Sequence, residues 1–349
     1  MRRQSDGTRD GAGEAGPTHD DGASRPSPVL AGRREWRPGG RELAGAALWG
    51  LTTAIVALWP NAEDWTYTDT LTVLCALPAL ALAGAGLAGT RLSPRLDGVR
   101  RGTPWLLALA LLLALWEVLT AKLSVLPRPF FAPPQAFIEV YAEDWARLGE
   151  CVLRSLLLLA PGVIIGAVAG FAAGVALGWS RLAGYWGHPL LRIVGPLPAV
   201  AWLPVAFFAF PSSWSASVFL IALATGIPVT ILTWSGVASV DGSLYDIART
   251  LGATSRFLVF RVAVPAAMPH VFVGLFMGLA SSFSVLVVAE MMGVKAGLGF
   301  YLQWAQGWGA YANMYAALLV MALLCSALVS GLFRVRDRML SWQKGMVKW

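Results

Sequence analysis

The side chains able to do chemistry in this chain are few, and they stand apart from one another. Glu117 and Glu290 are carboxylates in otherwise apolar runs, and Ser281, Ser282 and Ser284, candidates for lining a pore, crowd around Phe283 in the same run as Glu290. A carboxylate in a membrane-length segment is costly unless it faces protein or water, so each marks a pathway or a helix contact. For Glu290 two readings stand. It caps or hydrogen-bonds a neighbouring helix where its span reaches the outer surface, or it serves gating or packing between two copies of the chain; its sign argues against holding an anion. Glu117 lies nearer the end of its span, where snorkelling to the interface accounts for it. His19, His188 and His270 have no metal-ligand spacing, and Cys75, Cys151 and Cys325 form no CxxC pair. With no G-x4-G-K-[ST] phosphate loop either, the chain is not expected to hydrolyse a nucleotide or to hold a cofactor or metal of its own. A membrane enzyme would need clustered His, Asp or Cys near a membrane face. An ion-gradient-driven transporter or channel, the alternative reading, would show internal repeats and paired ionisable groups at mid-membrane.

The elements that must position these residues are apolar and long. Of 349 residues 56% are hydrophobic and 13% charged, about half the roughly 25% of a soluble domain. The expectation is an all-α polytopic membrane protein with about eight transmembrane helices, at 43–59, 69–90, 103–121, 152–178, 193–211, 216–237, 271–293 and 313–333. The net charge of +7 resides in loops and tails and makes no basic face for nucleic acid. Arg33, Arg34, Arg37 and Arg41 precede the first span and Arg91, Arg95, Arg100 and Arg101 follow the second, whereas Glu63, Asp64 and Asp69 lie between. Positive-inside therefore puts both termini in the cytoplasm, together with the loop at 238–270 and the tail bearing Arg334, Arg336 and Arg338. Residues 1–40 are too polar to bury a core and are expected to be a disordered tail; 341–349 form a second tail. Gly162, Gly166, Gly170, Gly174 and Gly178 recur every four residues, a smooth stripe where another helix can approach closely; packing within one subunit is the preferred reading, and the interface between two copies or the flank of a pore are the alternatives. The prolines from Pro196 to Pro204, and Gly226 with Pro228, mark kinks. Trp59, Trp65, Trp179, Trp186, Trp304 and Trp308 flank spans as interfacial anchors.

One polar stretch, Asp241 to Pro265, lies between the sixth and seventh spans and must leave the membrane and return. Its first half reads as a short amphipathic helix with Ser243 as cap, Asp246 in the capping-box position, and Leu244, Ile247, Ala248 and Leu251 at helical spacing. Gly252 supplies a positive-φ stop. A second helix restarts at Thr254 or Ser255 and runs to Pro265, where the missing N–H predicts a break.

The run Asp246, Ala248, Gly252 and, nine residues on, Val262-Ala263-Val264-Pro265 resembles the EAA loop (E-A-A-x3-G-x9-I-x-L-P) of permease subunits of binding-protein-dependent ABC importers. Asp246 stands for Glu, Ile247 for Ala, Val262 for Ile and Val264 for Leu. Trp116-Glu117, Pro127, Ala132-Pro133-Pro134, the run Gly195 to Pro204, Pro265 to Pro269, Ala289 to Met292 and Gly297-Leu298-Gly299 are similar in order and spacing to the nitrate, sulfonate, taurine and bicarbonate group of that family. The resemblance covers about Pro104 to Trp342. It implies a permease core at 103–340, preceded by two extra helices at 41–102, in a bacterial inner membrane. It further implies a coupling helix at Ser243, Asp246, Ile247, Ala248, Leu251 and Gly252, followed by Pro265, docking on a cytoplasmic ATPase dimer that binds ATP and Mg. The resemblance implies as well an extracytoplasmic binding protein that delivers a small solute and a second copy of the permease that completes the pore.

Overall fold

A computed structural model describes residues 40–87, 93–127 and 129–341. The two tails expected at 1–40 and 341–349 lie almost wholly outside these residues. Thirteen α-helices make up the described chain: α1 (Gly40–Leu58), α2 (Thr68–Leu87), α3 (Ser93–Glu117), α4 (Pro134–Glu143), α5 (Trp145–Trp179), α6 (Arg181–Val194), α7 (Leu203–Ala209), α8 (Ser213–Ala238), α9 (Gly242–Thr250), α10 (Ser255–Phe257), α11 (Val264–Ala289), α12 (Leu298–Gly307) and α13 (Tyr311–Met339). Three π-helical stretches, Val118–Lys122, Leu258–Ala263 and Glu290–Val294, and one 3-10 turn, Ala199–Trp202, extend or join them. Seven of the resulting rods are long and apolar enough to cross a membrane.

The fifth expected crossing, at 193–211, is not a straight helix. α6 and the segment Ala199–Ala209 meet at 90°, because Pro196 and Pro198 contribute no N–H to continue a helix. Together they still carry the chain from one end of α8 to the other. The His188 ring packs tilted against Trp234 at 4.3 Å, Gly195 faces Ile231, and Phe210 packs tilted against Phe219 at 4.9 Å. Counting this broken helix, eight crossings leave Gly40 and Met339 on the same face as α9.

The core is set by glycine. All five stripe glycines of α5 are turned toward α8: a Cβ on Gly162 would lie 2.5 Å from Ile221 Cγ2, one on Gly170 2.6 Å from the Gly226 carbonyl oxygen, and one on Gly178 2.7 Å from Val237 Cβ. Residue numbers rise together along both helices, so α5 and α8 run parallel with backbones in contact, and the stripe packs within one chain. Gly274 and Gly278 bring α11 against α8 as well, at Val229 and Thr225. Leu158, Leu159, Leu220, Ile221, Leu279 and Leu286 fill the space between. Although it carries Pro228, α8 is helical throughout.

A second cluster joins α1, α2 and α3 through Trp49, Val56, Leu71, Cys75, Leu82 and Ala110. Here the snorkelling expected of Glu117 does not occur. Glu117 and Lys122 are both buried, with Lys122 Nζ 3.6 Å from Glu117 Oε1, and Gln135 Nε2 donates to the same carboxylate at 2.7 Å. The π turn at Val118–Lys122 explains the pairing: its wider pitch brings residues five apart onto one side, which an α-helix does not. Lys122 Nζ also donates to the Val56 carbonyl (3.0 Å), the Trp59 carbonyl (2.6 Å) and Asn61 Oδ1 (2.6 Å), closing the C-terminal end of α1 with a cation. Lys122 therefore belongs to the buried packing and not to the water-facing loop that follows.

Candidate functional site

Two places in the bundle gather the residues singled out in the sequence. The first is α9, between α8 and α10. Its cap is Asp241, whose Oδ1 accepts from Ser243 N at 2.9 Å, so Ser243 lies inside the helix and not at its cap. That hydrogen bond holds the Asp241 carboxyl below its usual range. With the cap two residues earlier than expected, Asp246 is no capping-box residue; it pairs with Arg249 Nη1 at 3.1 Å. Gly252, at φ +83°, ends the helix. Its N–H reaches the Arg249 carbonyl and the Ala253 N–H the Ala248 carbonyl, at 2.9 and 3.0 Å, the paired bonds of a Schellman motif that requires a left-handed residue at this point.

Leu244, Ile247 and Leu251 are exposed, while Ala248 is half-buried. What holds α9 to the bundle is Tyr245, which the sequence reading did not single out. Its ring packs edge-on against Trp179 at the end of α5, 5.7 Å between centroids, and burial pushes its hydroxyl up from the ordinary range. Its place, out of phase with Leu244, Ile247 and Leu251, was the available signal.

After Gly252 the chain restarts as expected, Thr254 capping through Phe257 N at 3.4 Å. The helix does not stop at Pro265. It continues as one rod from Ser255 to Val294, because the π stretch Leu258–Ala263 takes up the wider spacing just before the proline, which then sits in the first turn of α11.

The second place is the break in the sixth and seventh helices, at mid-depth of α8. Gly195 to Val200, Ala224, Ile227, Pro228, Ser281 and Ser284 enclose a cavity of about 300 Å³. Ser281 and Ser284 are exposed to it, with no carboxylate in its lining. Ser282 is turned away and buried, its hydroxyl 2.5 Å from that of Thr225 and bonded to the Gly278 carbonyl. The structure thus gathers two of the three serines at the break.

Glu290 lies elsewhere. Fully buried, it accepts from Gly299 N at 2.7 Å through Oε2, while Ser155 Oγ accepts from the neighbouring Leu298 N at 2.9 Å. Together they satisfy the first turn of α12. Gly297, at φ +95°, leaves room for this carboxylate: a Cβ there would collide with Glu290 Oε1. Among the described residues no cluster of His, Cys, Asp or Glu is disposed to hold a metal ion.

Residues 162–341, from the glycine stripe through α13, match the family described as binding-protein-dependent transport system inner membrane component. The chain belongs to that family. It is the membrane-spanning permease of an importer and a multi-pass protein of the inner membrane. A probable ABC transporter permease of Brucella abortus (strain 2308) is 30% identical over 241 residues, 68% of this chain and 95% of that one. The taurine transport system permease TauC of Escherichia coli K12 is 30% identical over 67% of this chain and 87% of its own length, and the nitrate import permease NrtB of Leptolyngbya laminosa 28% identical over 66% and 86%. Among solved structures, the inward-facing MetNI methionine ABC transporter aligns with a TM-score of 0.47 at 17% identity, covering 56% of this chain and 97% of that one.

Proposed function

We propose that two copies of this permease form a pore worked from outside by an ATPase pair, with α9 as the point of attachment. The reading rests above all on α9 itself. It presents Leu244, Ile247 and Leu251 to solvent, is pinned at its base by Tyr245 on Trp179, and is joined directly to α8 before it and to the Ser255–Val294 rod after it. A small exposed apolar face on a well-capped helix fits a groove on a partner protein. Charge asymmetry puts this face in the cytoplasm, where ATP and Mg are held by the partner and not by this chain.

ATP-driven closure of the partner then displaces α9, and the rod after it carries the displacement to the cavity at the helix break. Only a partner that binds α9 differently in its two states can shift the permease between inward- and outward-facing forms. The solute is a small anion of the sulfonate, nitrate, taurine or bicarbonate type, delivered by an extracytoplasmic binding protein. Two of the relatives are named for taurine and nitrate, and a cavity with serine hydroxyls and no carboxylate offers donors without repulsion.

Gly252→Asp and Ala248→Glu test the coupling. Each should abolish uptake in cells that also express the ATPase and binding protein, with the variant permease still inserted at normal abundance. Uptake at the unaltered rate in both would refute the assignment.

A further inference from the structure

α6 carries a second site that neither the coupling helix nor the solute cavity uses. On the α9 side of the bundle, a cavity of about 610 Å³ opens between α6 and the ends of α5 and α8. Trp179, Arg181, Tyr185, His188, Arg192 and Trp234 dominate its lining. No carboxylate lines it, and neither arginine has an acidic partner among the described residues. His188 Nε2 is buried there with no hydrogen-bond partner, its ring held on Trp234. Two unpaired cations and an unsatisfied imidazole nitrogen around one space call for an anion that accepts hydrogen bonds.

The surroundings say which kind of anion. Leu182, Trp186, Leu190 and Ile193 of α6 are 61–71% exposed, the outward face of a helix lying at the membrane interface with its polar side toward the cavity. Deeper along α8, His188, Arg192 and Trp234 are shared with a second, largely apolar space of about 240 Å³ that adds Leu191 and Ile231. Ile231 is one helical turn further from the α9 end than Trp234, so this slot leads from the cationic mouth into the hydrocarbon layer. A free phosphate has no use for such a slot, whereas an acyl chain fills it.

We infer that this cavity holds the phosphate headgroup of an anionic phospholipid from the leaflet on the α9 side, with one of its chains in the Leu191–Ile231 slot. Basic pockets between membrane helices bind such headgroups by the same electrostatics.

The test uses the full chain in nanodiscs of phosphatidylcholine with and without phosphatidylglycerol, extracted into mild detergent, with retained lipid counted by native mass spectrometry. The chain should keep one phosphatidylglycerol in about tenfold preference to phosphatidylcholine. Arg181→Gln or Arg192→Gln should each weaken retention about fivefold and the pair about 30-fold, since each basic residue near a membrane surface contributes a similar increment. Leu191→Trp, which fills the slot and leaves both arginines, should also release the lipid. Equal retention of the two lipids by the unaltered protein overturns the proposal without recourse to any variant. So does displacement of the lipid by glycerol 3-phosphate, which would make the cavity a site for soluble phosphate, or undiminished retention when both arginines are replaced.

Discussion

Leu251→Ala tests the proposed contact between permease and ATPase. Leu251 is 83% exposed at the last turn of α9, so nearly all of its side chain remains available to a partner. Truncation to alanine removes about three methylene equivalents at about 0.8 kcal/mol each. Scaled by exposure, the loss is about 2 kcal/mol of binding free energy, or about 30-fold in the dissociation constant. The helix itself should survive, because the Asp241 cap and the Gly252 stop are untouched. Titrating purified ATPase onto nanodisc-embedded permease by biolayer interferometry measures the shift directly. Leu323→Ala on α13, 63% exposed along a membrane-spanning helix, provides the control and should leave affinity unchanged. A shift below about threefold for Leu251→Ala, or an equal shift for the control, would refute the idea that this face is where the motor grips.

Other consequences follow from the packing. Gly170→Ala drives a Cβ to 2.6 Å from the Gly226 carbonyl oxygen and should destabilise the bundle by about 1–3 kcal/mol; Gly331→Ala, with nothing within 4 Å, should leave stability unchanged or raise it by up to about 1 kcal/mol, both read by unfolding in detergent. Lys122→Met strands the Glu117 carboxylate and two carbonyls of the α1 end, a loss of about 3–5 kcal/mol; adding Glu117→Gln should recover part of it in the same assay. The Tyr301 hydroxyl, donating to Asp144 Oδ2 at 2.7 Å, is pushed up to about 12, chiefly by burial. Because the folded state favours the neutral phenol, its contribution is whole below pH 10 and lost as pH rises from 10 to about 12; Tyr301→Phe should flatten that part of the alkaline stability profile.

Much of the architecture was legible in sequence because the signals were long and repeated. Apolar length marked all eight crossings, seven of them straight rods, and close packing within one subunit, the preferred reading of the four-residue glycine period, is what the stripe does. The stop at Gly252 was readable too, since few residues other than glycine adopt that φ. What stayed hidden depended on partners distant in sequence. Composition alone gave 193–211 the look of an ordinary span, yet Pro196 and Pro198 fold it through a right angle. Glu117 looked like a solitary carboxylate because its cation stands five residues on, an offset that only a π turn brings alongside. Pro265 read as a terminator for the mirror-image reason: the π stretch before it absorbs the strain that would end an ordinary helix. Asp241 displaced Ser243 as cap because either side chain can reach an N–H two or three residues ahead, and sequence does not choose between them.

The glycine seam between α5 and α8 has a mechanical corollary. Between Gly162 and Gly178 the α5 backbone lies against carbonyls and short β-branched side chains of α8, with no long side chains between the rods to compress, so over that stretch they behave as a single girder. α9 hangs from one end of that girder, through the chain leaving α8 and through Tyr245 resting on α5. On the proposed coupling, a tug there is not taken up by sliding one rod on the other, and the slack falls to the Gly195–Pro198 elbow, the one sharp bend among the described crossings.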